Sequence, residues 1–199
     1  MRRWLKSTLC KRIGYLLFLF LLAHGIPAGA QRVALKTNFL YWATTTPNLG
    51  VEIRLHEQWT FDLSGNYNPF RFDSSSEKNP KLTHWLLQPE LRYWLCRRFE
   101  GGYFGVHGLY GKYNLGGISF LPDLKDYRYD GDLYGGGISY GYHWAFSDRW
   151  GFEANLGVGY AYLKYAKYDC GACGKKQGDY YRHYIGPTRL ALSIVYFFK

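Results

Sequence analysis

Beyond its first thirty residues the chain alternates between apolar and polar positions with a period of two. Clusters of Gly, Asn, Asp and Pro interrupt the pattern, and no apolar stripe of helical period runs through it. The alternation predicts eight strands, over 33–43, 48–56, 58–70, 83–95, 102–113, 132–146, 150–163 and 183–198. In the second, Leu49, Val51, Ile53 and Leu55 share one side, with Asn48, Glu52, Arg54 and His56 opposite. In the third, Trp59, Phe61, Leu63 and Tyr67 oppose Thr60, Asp62, Ser64 and Asn66. In the eighth, Leu190, Leu192, Ile194, Tyr196 and Phe198 oppose Arg189, Ala191 and Ser193. The fifth strand is ambiguous in phase.

A soluble sandwich would alternate too, so three further features decide. Aromatic residues close the ends of the apolar faces and aliphatic ones fill the middle, as in Trp150, Leu156 and Tyr162, the pattern of chains that cross two water–lipid interfaces. The strands are longer than the roughly 5–6 residues usual in soluble sheets and suit the roughly 9–11 tilted residues that cross a bilayer. Finally, connections alternate between short (56–58, 96–101, 146–149) and long (71–82, 114–131, 164–182), although 44–47 is short where a long one belongs. The fold expected is all-β: an eight-stranded antiparallel transmembrane β-barrel of outer-membrane type, after a cleaved signal peptide. Pro89, inside the fourth strand, opposes a fully paired ladder and predicts a local bulge.

The signal peptide is read over 1–30, with the barrel domain over 31–199. Arg2, Arg3, Lys6, Lys11 and Arg12 precede the apolar run Ile13 to Ala23, and Ala28-Gly29-Ala30 supplies a small-residue cleavage site. That run is too short for a membrane anchor. The whole chain of 199 residues carries a formal charge of +10, but the first thirty hold five of the 25 basic residues and none of the 15 acidic ones. The remainder carries 20 − 15 = +5, which removes the case for nucleic acid as a partner.

The inward face collects Lys36, Arg54, Arg92 and Arg189 against Glu52, Asp62, Glu90 and Glu153. Four basic residues facing four acidic ones predict a neutral network that fills a narrow lumen, since unpaired buried charge is costly. A conducting pore would show a wide polar lumen or a ring of one sign. His84 and His183 fall near the outer rim, and Asp73 with Ser74 to Ser76 lies in the loop before His84. That set is the basis of an alternative, a rim enzyme acting on lipid or peptide. The spacing is non-specific, and no residue is assigned a catalytic role. Cys170 and Cys173, in Cys-Gly-Ala-Cys, are candidates for a loop disulfide in an exported protein, and Cys96 falls at the opposite end. No metal or cofactor motif occurs. Tyr127, Tyr129, Tyr165, Tyr168, Tyr180 and Tyr181 are expected in outer loops, where they would contact protein, glycan or lipid head groups.

The segments ALKTNFLYWATTTPNLGVEIRL, WTFDLSGNYNPF, QPELRYWLCRRFEGGYFGVHG, YGGGISYGYHWAFSDRWGFEANLGVGYAYLKY, YDCGACG and YIGPTRLALSIVYFF resemble a family of Bacteroidetes outer-membrane proteins, domain of unknown function 3575. The resemblance implies an outer-membrane barrel in contact with outer-membrane lipid and implies no reaction. It also implies a role near surface or fimbrial proteins. The function expected is a non-enzymatic scaffold or accessory for such components, with its outer loops as the contact surface.

Overall fold

The structure, a computed structural model, describes residues 33–69, 81–97, 99–116, 127–169 and 176–198. The expected signal peptide, the Asp73 and Ser74–Ser76 loop, and Cys170 and Cys173 lie outside them. The elements run β1 (Val33–Asn38), α1 (Phe39–Ala43), β2 (Asn48–Arg54), β3 (Trp59–Asn68), β4 (Lys81–Trp94), β5 (Gly101–Gly116), β6 (Tyr127–Ala145), β7 (Trp150–Asp169) and β8 (Lys176–Phe198). Each strand pairs antiparallel with the next, and β8 returns to β1, with Val33 opposite Phe198 and Asn38 opposite Ser193, so the sheet closes into a ring.

Closure follows from the alternation. Where all eight strands pair, one face of each is buried inside the ring and the other is left outside, as in β3, where Thr60, Asp62, Asn66 and Asn68 are buried and Trp59, Leu63 and Tyr67 are exposed. The result inverts a soluble protein: the buried residues are largely polar and the exposed ones largely apolar. Mid-strand residues of the outer face, among them Val51, Leu91, Val106, Ile138, Leu156 and Leu190, form an aliphatic band. At the short-turn end it is edged by Trp59 against Tyr93 (ring centroids 5.1 Å apart) and Trp150 against Tyr196 (4.9 Å). At the other end Trp85 meets Tyr110 (5.2 Å) and Tyr134 meets Tyr162 (5.1 Å).

Four expectations need correction. The first strand stops at Asn38, whose side chain accepts from the Leu40 N–H and caps α1 over the stretch expected to continue as strand. The first connection is therefore not short, which removes the exception to the short–long rhythm. Secondly, β5 to β8 continue through most of the segments expected as loops, so Tyr127, Tyr129, Tyr165, Tyr168, Tyr180 and Tyr181 lie on strands. Thirdly, Pro89 sits in no bulge. The β4–β5 register is the same on both sides of it, from Leu87 opposite Tyr110 to Glu90 opposite His107, and the ladder simply omits the two positions between. The register does shift elsewhere, between Gly157 and Val158 on β7 opposite β8. Fourthly, Arg54 ends β2 half-buried and stands apart from the lumen charges described below.

Candidate functional site

The lumen is filled in layers. At the short-turn end Trp94, Phe99, Tyr103, Val195, Phe197 and Ala34 form an apolar cluster inside the ring. Trp94 lies 4.7 Å from Tyr103 and 5.8 Å from Phe99 between ring centroids, and its indole N–H donates to Thr60 Oγ1 at 2.9 Å. Phe99 takes a φ of 59°, a left-handed conformation that costs a bulky residue about 1–3 kcal/mol. In exchange its ring is buried at the mouth, 5.2 Å from Phe197. Tyr103 can cross the lumen because residue 141 is glycine; a Cβ there would collide with its ring.

The charges come next. The register sets Glu52 directly opposite Asp62, and Asp62 directly opposite Glu90, so three carboxylates stand abreast on β2, β3 and β4. Like charges in that position repel, and the arrangement holds only because cations reach in from three other places. Arg92, fully buried, donates to Glu90 (2.5 Å), Glu52 (2.9 Å) and both oxygens of Glu153 (2.9 and 3.1 Å). Its guanidinium also lies 4.5 Å above the Tyr103 ring. Lys36 pairs with Glu52 and, at 2.6 Å, with Glu153. Arg189 pairs with Asp62 at 2.7 Å and Glu90 at 3.3 Å. Thr60 and Ser139 hydroxyls donate to Glu52 and Glu90, and Asn155 donates to Tyr103 at 2.8 Å.

Seven of the eight expected lumen charges therefore meet: Lys36, Glu52, Asp62, Glu90, Arg92, Glu153 and Arg189. Arg54 makes no ion pair with them. The expected balance of four against four becomes three cations against four carboxylates among the described residues. Above this layer a cavity of about 30 Å³ remains, bordered by Lys36, Asn38, Asp62, Asn66, Gln88 and Arg189. That is room for one or two waters. Alternation put Asn155 on the inward side with Glu153 but did not single out Trp94, Tyr103 or the His107–Thr188 contact at 2.9 Å, because it assigns a side but not a depth.

The remaining candidates separate. His84 is on β4, half-buried, while His183 is on β8 with its Nδ1 2.5 Å from the Tyr160 hydroxyl on the outer face. Among the described residues no group of three or more His, Cys, Asp or Glu is placed to hold a metal ion. Cys96 is exposed at the short-turn end. The six tyrosines form ladders along β6, β7 and β8. Tyr129, Tyr165 and Tyr180 follow one another at 5.4 and 5.9 Å, and Tyr181 stacks on Tyr162 at 6.3 Å. Lys167 lies 3.4 Å over the Tyr127 ring and Arg128 5.1 Å over Tyr168.

The sequence pattern of the family described as "Protein of unknown function (DUF3575)" matches residues 16–198, which takes in all eight strands. The chain belongs to the DUF3575 family. No curated protein and no solved structure matches it. This DUF3575 protein combines a lumen filled by side chains, an apolar exterior, and an aromatic rim carried on three long strands.

Proposed function

We propose that this DUF3575 protein is a non-enzymatic barrel of the outer membrane, exported through a cleaved signal peptide, whose outer rim serves as an attachment surface for cell-surface or fimbrial components. The observation that carries the membrane part is the apolar exterior bounded by two aromatic levels. Trp85 and Tyr93 on β4 are eight residues apart, and Trp150 and Tyr160 on β7 ten. At about 3.3 Å per residue that is roughly 26–33 Å along a strand. A tilt of about 40° reduces it to roughly 20–25 Å, near the height of the apolar band of such barrels. Water would not tolerate Val106, Ile138 and Leu190 exposed at 64%, 65% and 58% in one continuous band.

The attachment part rests on what the lumen lacks and the rim has. A lumen blocked by an aromatic cluster and a dense ion-pair network gives solutes no path. The rim offers tyrosines and basic residues on strands that stand clear of β1 to β3. Two experiments test the reading. In planar bilayers the purified protein should give no stable large conductance. Cells lacking the gene should lose a defined surface protein from their outer membrane while their lipid composition stays unchanged; altered acylation or lipid cleavage instead would favour the rim-enzyme reading.

A further inference from the structure

The ring is closed unevenly. β1 ends at Asn38, opposite Ser193, whereas β8 runs on from that point to Lys176 paired only to β7. Past the end of β1 the helix α1 lies against β8, and above that no strand among the described residues pairs with this edge of β8. Two contacts fix which backbone groups face it. Phe197 N donates to Arg149 O on the β7 side, so odd-numbered residues below the bulge point toward β7. On the opposite side the Asn38 side chain accepts from Leu192 N at 3.0 Å and donates to Leu190 O at 3.1 Å. Asn38 extends the ladder by one step with a side-chain amide in place of a strand.

Above that step the bulge adds Thr188, since Gly157 is opposite Arg189 and Val158 opposite Pro187, and the parity reverses. Ile185, His183, Tyr181 and Asp179 then direct their backbone groups to this edge, while the Pro187 carbonyl already accepts from the Tyr184 hydroxyl at 3.3 Å. Pro187 has no N–H, so it stands just below this run, where a donor is dispensable. The residues around it are bare: Ile185 is 84% and Tyr181 70% exposed. Arg182 is exposed and has no ion pair among the described residues.

We propose that this edge, from Asp179 to Ile185, is the docking site for an extended segment of a second protein, which adds a strand to β8 beyond the end of β1. The proposal deepens the attachment reading and rests on it. Backbone pairing supplies the affinity and alternate side chains the choice of partner. Tyr181, His183 and Ile185 share the outer face, so the segment carries apolar residues at the alternate positions opposite them. An acidic residue on its other face meets Arg182. A second copy of this chain cannot supply the strand. Two barrels in one membrane are related by an axis along the membrane normal, and strands tilted about 40° to it would cross at roughly 80°, which no ladder spans.

Hydrogen exchange of the barrel extracted intact from native membranes, compared with the barrel refolded alone, tests this. In the native sample the amides of Asp179, Tyr181, His183 and Ile185 should exchange at least tenfold more slowly, and a photo-crosslinker at Tyr181 should join one segment of one other protein. Ile185→Pro deletes an edge-facing N–H without touching the β7 ladder. It should abolish both the protection and the crosslink while the heat-shifted gel band persists. Equal exchange in the two samples, protection that survives Ile185→Pro, or crosslinks only between copies of this chain would overturn the proposal. If the band itself shows no heat shift, the membrane reading fails instead, so the two failures are distinguishable.

Discussion

Replacing Arg92 with methionine removes the guanidinium from the middle of the lumen and leaves its volume nearly filled. Glu52, Glu90 and Glu153 lose hydrogen bonds of 2.5–3.1 Å together. The four carboxylates are left with Lys36 and Arg189 alone. Deleting one partner of a buried ion pair costs about 3–5 kcal/mol, because the surviving charge stays out of water unpaired. The near-isosteric change limits the packing contribution to about 1.5 kcal/mol. Against a total stability of about 5–15 kcal/mol, the loss is a large fraction. With a urea dependence of about 2 kcal/mol per molar, the unfolding midpoint of Arg92→Met should fall by about 2 M. The assay is the fraction of heat-shifted gel band against urea, alongside tryptophan fluorescence. Arg54→Met, outside the network, is the control and should change stability by about 0.5 kcal/mol or less. Adding Glu153→Gln to Arg92→Met should recover part of the loss, because it removes one of the stranded charges. Equal midpoints for Arg92→Met and Arg54→Met would refute the view that these charges hold the lumen closed.

The other predictions concern the exterior, the mouth and the seam. Ile138→Arg, in the middle of the outer band, should cost about 2–4 kcal/mol in lipid vesicles; a change within about 0.5 kcal/mol would mean that this face meets water. Phe99→Ala gives up a buried ring and keeps the Cβ that makes a φ of 59° costly, so a loss of about 3–5 kcal/mol is expected in the same urea titration. Asn38→Ala strands Leu190 O and Leu192 N and uncaps α1, and should speed exchange of the Leu192 amide while lowering stability by about 1–3 kcal/mol.

How far the strands could be read depended on burial. Where one face is packed and the other apolar, as around Glu52 and Ile53 or Glu153 and Leu156, the alternation assigned sides that the ring reproduces. It failed where both faces are polar. Tyr127 to Gly131 and Lys176 to Arg182 show no clean period and read as loop, yet each continues a ladder its partner strand already nucleates. Asn38 carried its signal in a single residue: it is an inward polar position of β1 and at once the cap of α1, which a period-two reading passes through. Arg54 marks the same limit in depth. It has the parity of Glu52 but sits at the end of its strand, two residues short of the network.

The central claim is a membrane-embedded, closed ring, and it is tested most directly by running the outer-membrane fraction on a gel, boiled and unboiled, and detecting this protein. The account predicts that it is found in that fraction and that the unboiled sample gives a compact band migrating faster than the boiled one. Recovery in the soluble fraction, with identical bands before and after boiling, would contradict it.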